Sequence, residues 1–173
     1  MNKPTSPLIA LLLLACAAFP SGSARAADPA LPSSLLAAKA PADALSVVQA
    51  REKAKPGEKI VLRGKIGGRK IALMDKAAIA VLADEKNITS CDAMPGDSCK
   101  TPWDYCCESP EKLQASTATI QVRDEKGKVV RAPLRGLGDL KELSTVVVEG
   151  TVDATSSKDA LIINATSIHV EKP

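Results

Sequence analysis

Short runs of alternating aliphatic residues constrain the fold of this chain most. Five runs cover residues 58–66, 78–84, 117–123, 144–154 and 160–170, and turn residues lie between them. A period of two is typical of half-buried strands. A turn at 124–127 predicts a hairpin that adds a sixth strand at 128–134. Closure of a sheet removes the edges that aliphatic strands would expose, so we expect a small antiparallel all-β barrel with minor helices.

Three residues predict irregularities in these strands. Gly64 is a candidate bend or bulge in the first run, and the alternation of the last run slips near Asn164. Pro133 has no backbone N–H, which places its strand at a sheet edge or places Pro133 at the end of that strand. In the second run, the residues predicted to share one face are Ile79, Val81 and Ala83.

The core of the barrel must be built from aliphatic side chains. Only 2% of the residues are aromatic, and Trp103 and Tyr105 are the only rings beyond Phe19. The formal net charge is +3, which indicates no particular class of partner.

The amino terminus has the pattern of a secretory signal peptide over residues 1–26. Lys3 precedes an apolar run at 8–19, and an A-x-A site predicts cleavage after Ala26. The run is too short for a membrane-spanning helix, which needs roughly 20 residues. We therefore expect export to the periplasm or the extracellular space. In the alternative, Cys16 ends a lipobox-like sequence and is lipidated, which would anchor the protein to a membrane.

Two segments precede the barrel, which is expected to occupy residues 56–173. Residues 27–41 are rich in Ala, Pro and Ser and predict a flexible linker. Residues 42–55 predict one helix, capped by Asp43, that packs on the barrel through Leu45 and Val48.

Four cysteines lie in a predicted loop at 85–110, at positions 91, 99, 106 and 107. In an exported protein this pattern predicts structural disulfides. Adjacent cysteines bond each other only through a strained ring, so Cys106 and Cys107 need different partners. The two open pairings are Cys91–Cys106 with Cys99–Cys107, and Cys91–Cys107 with Cys99–Cys106. Closing a loop of about 15 residues stabilises by roughly 3 kcal/mol.

Two other interpretations of these cysteines stay open. Four thiolates can bind zinc, and thiolates with the thioether of Met94 would suit copper(I). The spacing lacks C-x2-C pairs, and no histidine lies nearby. A redox-active pair would need a thiol with a lowered pKa. Residues 84–111 contain seven acids and two lysines, and such negative surroundings raise the pKa of a thiol.

Trp103, Asp104 and Tyr105 form the candidate recognition surface of the same loop. Their rings either pack as a lid over the barrel end or contact a protein partner. Single-stranded nucleic acid is a poorer ligand, because no predicted strand carries an aromatic residue for base stacking. The basic block at 51–76 also predicts self-association through the acidic cysteine loop of a second copy.

No pattern in the sequence indicates an enzyme. The single histidine, His169, lies on the last predicted strand. No nucleophile elbow or phosphate-binding loop is present in the sequence.

The order of the motifs resembles a family of exported bacterial OB-fold-like proteins. The motifs are KIVLRGKIGG at 59–68, AIAVLAD at 78–84, CKTPWDYCCE at 99–108 and VVVEGTV at 146–152. The resemblance implies a five-stranded Greek-key barrel that binds rather than catalyses, and it supplies no catalytic residue. We therefore expect an exported, non-enzymatic module with a disulfide-stapled loop and no cofactor. The alternatives are a zinc or copper protein, a thiol–disulfide exchanger and a single-strand binder.

Overall fold

Six strands form a single sheet that closes into a barrel. The computed structural model describes Met1 and residues 30–171. The strands are β1 Leu45–Ser46, β2 Lys59–Ile66, β3 Ile79–Ala83, β4 Thr117–Gln121, β5 Thr145–Val152 and β6 Ile162–Val170. Their order is β1-β2-β3-β4-β6-β5, and β2 also pairs with β5. The predicted signal peptide, the cleavage after Ala26 and the lipidation alternative at Cys16 lie outside the described residues.

Closure depends on β2, which pairs antiparallel with strands on both of its sides. Lys59 to Lys65 pair with β5, and Lys65 and Ile66 also pair with β3. Strands β4 and β6 run parallel, which gives the Greek-key order of an OB-like barrel. The predicted small OB-like all-β barrel is confirmed.

The sixth strand is not the predicted hairpin arm at 128–134. That segment forms no strand of its own, and it meets the barrel through a bridge between Arg123 and Val129, a hydrogen bond from Val130 N to Val122 O and one from Ala78 N to Val130 O. Pro133 offers no N–H, so the ladder stops near the turn. The added strand is β1, in which Leu45 and Ser46 pair parallel with β2.

The barrel core follows the predicted alternation in β2, β4 and β5. The buried residues of these strands include Ile60, Leu62, Ile66, Ala118, Ile120, Val146, Val148 and Val152. Gly64 is not a bulge, because its pairing with Val146 is in register. A Cβ on Gly64 would lie 3.0 Å from Ala83 O and 3.3 Å from Val47 Cγ2, so the glycine allows close packing instead.

The predicted bulge in the last strand is present two residues from Asn164. Glu149 pairs with Ser167 and Gly150 pairs with Ala165, so Thr166 has no partner on β5. A Cβ on Gly150 would lie 2.4 Å from the backbone oxygen of Asn164. The bulge and this close approach bend the two strands together.

Helix α1, Val47–Lys53, is shorter than predicted. It begins after Ser46, whose hydroxyl accepts from Gln49 N while the Gln49 side chain accepts from Ser46 N. This capping box replaces the predicted cap at Asp43. Leu45 lies in β1 rather than in the helix, because it pairs with β2.

The buried face of α1 also differs from the prediction. Val47 and Ala50 are buried, whereas Val48 is partly exposed. The N–H of Val48 donates to the carboxylate of Asp84 at 2.8 Å. Asp84 lies just after β3 and is buried, so it holds the first turn of α1 against the barrel.

The predicted flexible linker at 27–41 is ordered where the structure describes it. Ser33–Leu35 form a 3-10 turn, and Leu35 is buried in the barrel core. The N–H of Ala37 donates to Ile168 O at 2.9 Å, and Ala37 O lies 2.9 Å from His169 Nδ1. Hydrophobic burial of Leu35 explains this order, and His169 has a structural contact. Among the described residues, no helix is long and apolar enough to cross a bilayer.

The candidate metal centre in the cysteine loop

The cysteine loop covers the outer side of β3. Ala80 and Leu82 face the barrel core, and the face shared by Ile79, Val81 and Ala83 is the outer one. Ala83, on the opposite side, packs with Ile88 and Tyr105 of the loop in a second buried cluster. Strand β3 is therefore buried on both sides, and the loop forms part of the hydrophobic interior.

Two glycines at the end of β2 support the loop. A Cβ on Gly67 would lie 2.7 Å from Tyr105 Cε2 and 2.8 Å from Trp103 O. The N–H of Gly68 donates to Trp103 O at 2.8 Å. The sequence pattern predicted only the end of a strand here, and it missed this contact with the loop.

The two rings of the loop have different environments. Tyr105 is fully buried, so it cannot belong to the predicted recognition surface. Burial raises the pKa of Tyr105 to about 12. Trp103 is partly exposed, packs against the barrel core and donates from Nε1 to Lys70 O at 3.1 Å. This arrangement matches the predicted lid over the barrel end.

Three thiols and one carboxylate converge in the loop. Cys106 Sγ lies 3.6 Å from Cys91 Sγ and 3.8 Å from Cys99 Sγ. A carboxylate oxygen of Asp104 joins them, and all four ligand atoms lie within 4.8 Å of one another. Cys107 is exposed and is not among the four.

The predicted disulfide pairings are not formed. A disulfide bond is about 2.05 Å long, and the described cysteines are all free thiols. Both short sulfur–sulfur separations involve Cys106. Because only three cysteines converge, they cannot form two disulfides among themselves. The structure thus places Cys91, Cys99 and Cys106 together and leaves out Cys107.

The local backbone brings Asp104 and Cys106 to the same place. Pro102–Asp104 form a 3-10 turn, and Tyr105 follows in the left-handed conformation with φ of 58°. A left-handed residue reverses the chain direction at a cost of about 1–2 kcal/mol. Burial of the Tyr105 ring offsets that cost.

Hydrogen bonds hold the Asp104 carboxylate in position. The Thr101 hydroxyl donates to Asp104 Oδ2 at 2.7 Å, and the N–H of Cys106 donates to Oδ1 at 3.0 Å. Hydrogen bonds of this kind orient metal ligands in proteins. Met94 is partly buried and donates its N–H to Cys91 O, and its role as a copper ligand stays a prediction.

Two of the three converging thiols have a pKa that their surroundings raise. Burial raises the pKa of Cys91, and backbone N–H groups of Cys106 and Cys107 oppose this shift. Hydrogen bonds with Cys91 and Cys99 raise the pKa of Cys106 well above its usual range. A bound divalent ion reverses this balance, because it deprotonates the thiols that coordinate it.

The separations of the sulfurs fit a tetrahedral zinc site. Zn–S bonds of about 2.3 Å place neighbouring sulfurs of a tetrahedron about 3.8 Å apart. The observed separations are 3.6 Å and 3.8 Å. Three thiolates and the Asp104 oxygen would complete four-coordination. Sequence reasoning placed Asp104 on a recognition surface and missed its position beside the three sulfurs, although an acid two residues before Cys106 is a usable signal.

Arginines of the basic block have intramolecular partners. Arg51 donates to the backbone oxygens of Thr117 and Lys158. Arg63 pairs with Glu85 and, through two hydrogen bonds, with Glu171. These contacts hold the two arginine side chains on the barrel surface. Both side chains are therefore less available to bind another molecule.

No protein-family model, curated protein or solved structure matches this chain, and the resemblance based on the PWDYCC run stays a prediction.

Proposed function

We propose that this chain is a metal-binding protein in which Cys91, Cys99, Cys106 and Asp104 hold one zinc ion. The observation that carries the proposal is the convergence of three sulfurs at tetrahedral spacing with a carboxylate already oriented toward them. The acidic surroundings of the loop favour a bound cation. The same surroundings oppose the thiol–disulfide exchanger predicted as a third alternative.

Zinc fits the ligand set better than copper(I) does. Copper(I) favours soft sulfur ligands, and an aspartate oxygen is a harder ligand that zinc accepts readily. Copper(I) bound by the three thiolates alone is the runner-up. The two metals differ in their dependence on Asp104, which only zinc would need.

The ion would act as a structural clamp within an exported, non-enzymatic module. It would join three points of a loop that packs on β3 through Ile88 and Tyr105. A structural zinc site has four protein ligands and leaves no coordination position for a water molecule. The signal-peptide pattern supports export of the protein.

Elemental analysis tests the proposal on protein purified without chelators. We expect one zinc per chain together with free thiols. Cys91→Ser should lower zinc affinity at least 100-fold in a competition with a chromophoric chelator. Cys107→Ser is the matched control and should bind zinc like the wild type. Metal-free protein that also lacks free thiols would refute the proposal.

Self-association is a second candidate function, favoured by two exposed apolar residues. Ile71 is 68% exposed and Met74 is 44% exposed, on the loop between β2 and β3. Ile71 borders a groove of roughly 670 Å³ that Arg69, Lys70 and Asp104 also line. Sedimentation velocity tests this candidate. A dimer that the Ile71→Ser substitution dissociates would support it. A protein that stays monomeric at about 0.1 mM would refute it.

A further inference from the structure

Cys106 has a unique position among the loop cysteines. It is exposed, and its sulfur lies 3.6 Å from that of Cys91 and 3.8 Å from that of Cys99. Cys107 is also exposed, but its sulfur is outside the group. A reagent from solvent can therefore reach one member of the metal centre directly.

We propose that Cys106 is the site at which this protein is oxidised, and that oxidation forms one Cys99–Cys106 disulfide and releases the metal. The proposal rests on the metal site proposed above. A disulfide removes two of the three thiolates, so the oxidised loop keeps only Cys91 and Asp104 as ligands. Metal binding and disulfide formation are then mutually exclusive states of one loop.

Cys99 is a better partner than Cys91 for steric reasons. Cys91 is 0% exposed and lies in the 3-10 turn Cys91–Ala93. Cys99 is partly exposed and lies in a segment, 94–101, that contains no helix or strand. Bond formation requires its sulfur to approach Cys106 by about 1.8 Å, which side-chain rotation and a small backbone shift supply.

The chemistry balances with a low-molecular-weight disulfide, RSSR, as the oxidant. The Cys106 thiolate attacks one sulfur of RSSR, forms a mixed disulfide and releases the first RS⁻. The Cys99 thiolate then attacks the Cys106 sulfur and releases the second RS⁻. The two protein thiolates lose two electrons, which reduce RSSR, each RS⁻ takes a proton from water, and zinc leaves with its oxidation state unchanged.

Oxidised glutathione and zinc-loaded full-length protein test the inference. Trypsin cleavage at Lys86, Lys100 and Lys112 separates residues 87–100 from 101–112. Cleavage at Met94 with cyanogen bromide then separates Cys91 from Cys99. We expect one disulfide that joins residues 95–100 to 101–112. A chromophoric chelator should detect one zinc released per disulfide formed.

Matched variants show which cysteines form the disulfide. Cys107→Ser should behave like the wild type, whereas Cys106→Ser should form no cross-link within the group. Cys91→Ser should bind zinc weakly and still form the Cys99–Cys106 bond, which separates oxidation from metal release.

Three results would overturn the inference: a disulfide that contains Cys107, a bond from Cys106 to Cys91, or zinc that stays bound after the Cys99–Cys106 bond has formed. A reduced protein that binds no metal yet forms this bond would refute the proposed function and leave the assignment of the oxidation site standing.

Discussion

The ring of Tyr105 lies against the backbone of Gly67, so closely that a methyl group on Gly67 would come within 2.7 Å of Cε2. This contact joins the end of β2 to the residue between two proposed metal ligands. Gly67→Ala should therefore displace the loop and lower the free energy of unfolding by about 1–3 kcal/mol, the usual cost of overpacking.

The same variant should also weaken zinc binding, although it changes no ligand. We expect a decrease in affinity of about tenfold, measured by chelator competition. Arg69→Ala, two residues away and exposed, is the control and should change neither quantity. Unchanged affinity in Gly67→Ala would show that the position of Tyr105 does not set the geometry of the centre.

Asp104 should contribute to zinc binding but not to copper(I) binding. Asp104→Ala should lower zinc affinity about 10–100-fold and leave copper(I) affinity near that of the wild type. Competition with one chelator specific for each ion measures both values. Equal losses for the two metals would contradict the assignment of Asp104 as a zinc ligand.

The Thr101 hydroxyl should act on zinc binding through Asp104. Thr101→Val removes the donor at 2.7 Å and should lower zinc affinity about tenfold. Thr101→Ser keeps a hydroxyl and should restore the affinity to within about threefold of the wild type. If both variants bind zinc equally, the hydrogen bond to Asp104 does not orient this ligand.

Zinc binding should release protons and strengthen as the pH rises. The pKa of Cys91 is raised by burial and that of Cys106 by hydrogen bonds with its neighbours, so both thiols are protonated in the metal-free protein at neutral pH. Calorimetry in two buffers of different ionisation enthalpy should detect at least about two protons per zinc at pH 7, one from each of these thiols. Release of about one proton or none would show that Cys91 and Cys106 are not both ligands.

Asp153 should stabilise the barrel in a pH-dependent manner. Hydrogen bonds from Thr155 and Asn164 lower its pKa far below the usual range, against the effect of burial, and Arg123 adds to them. A lowered folded-state pKa gives stability that is present above the unfolded-state pKa of about 3.9 and is lost as the pH falls below it. Asp153→Asn should cost about 2–3 kcal/mol at pH 7 and less at pH 3.

Urea unfolding at the two pH values measures this difference. Asp75→Asn, at an exposed position, is the control and should change stability by less than about 0.5 kcal/mol. A cost of Asp153→Asn that is the same at pH 3 and pH 7 would contradict the role of the carboxylate charge.

The fold was predictable because strand alternation is a local property of the sequence. The inward residues of β2 and β5 alternate with outward ones, and the pattern alone identified them. The pattern did not show which face of β3 lies inward, because the loop buries the outer side and both sides are therefore apolar. The helical position predicted for Leu45 was wrong, since its pairing with Leu62 places it in β1.

The site was predictable only as a group of residue types. The cysteines were identified, but their partners depend on the left-handed conformation of Tyr105 and on the contact with Gly67. The contact joins residues about 38 positions apart, and the positive φ of Tyr105 is a property of one residue, so no periodicity reports either feature.

Because Ile88 and Tyr105 complete the wall outside β3, the cysteine loop is not an appendage that can be trimmed. Excising it would leave a strand with one bare apolar side and a sheet prone to aggregate. A truncated or grafted version of this protein must therefore keep the cysteine loop together with the barrel.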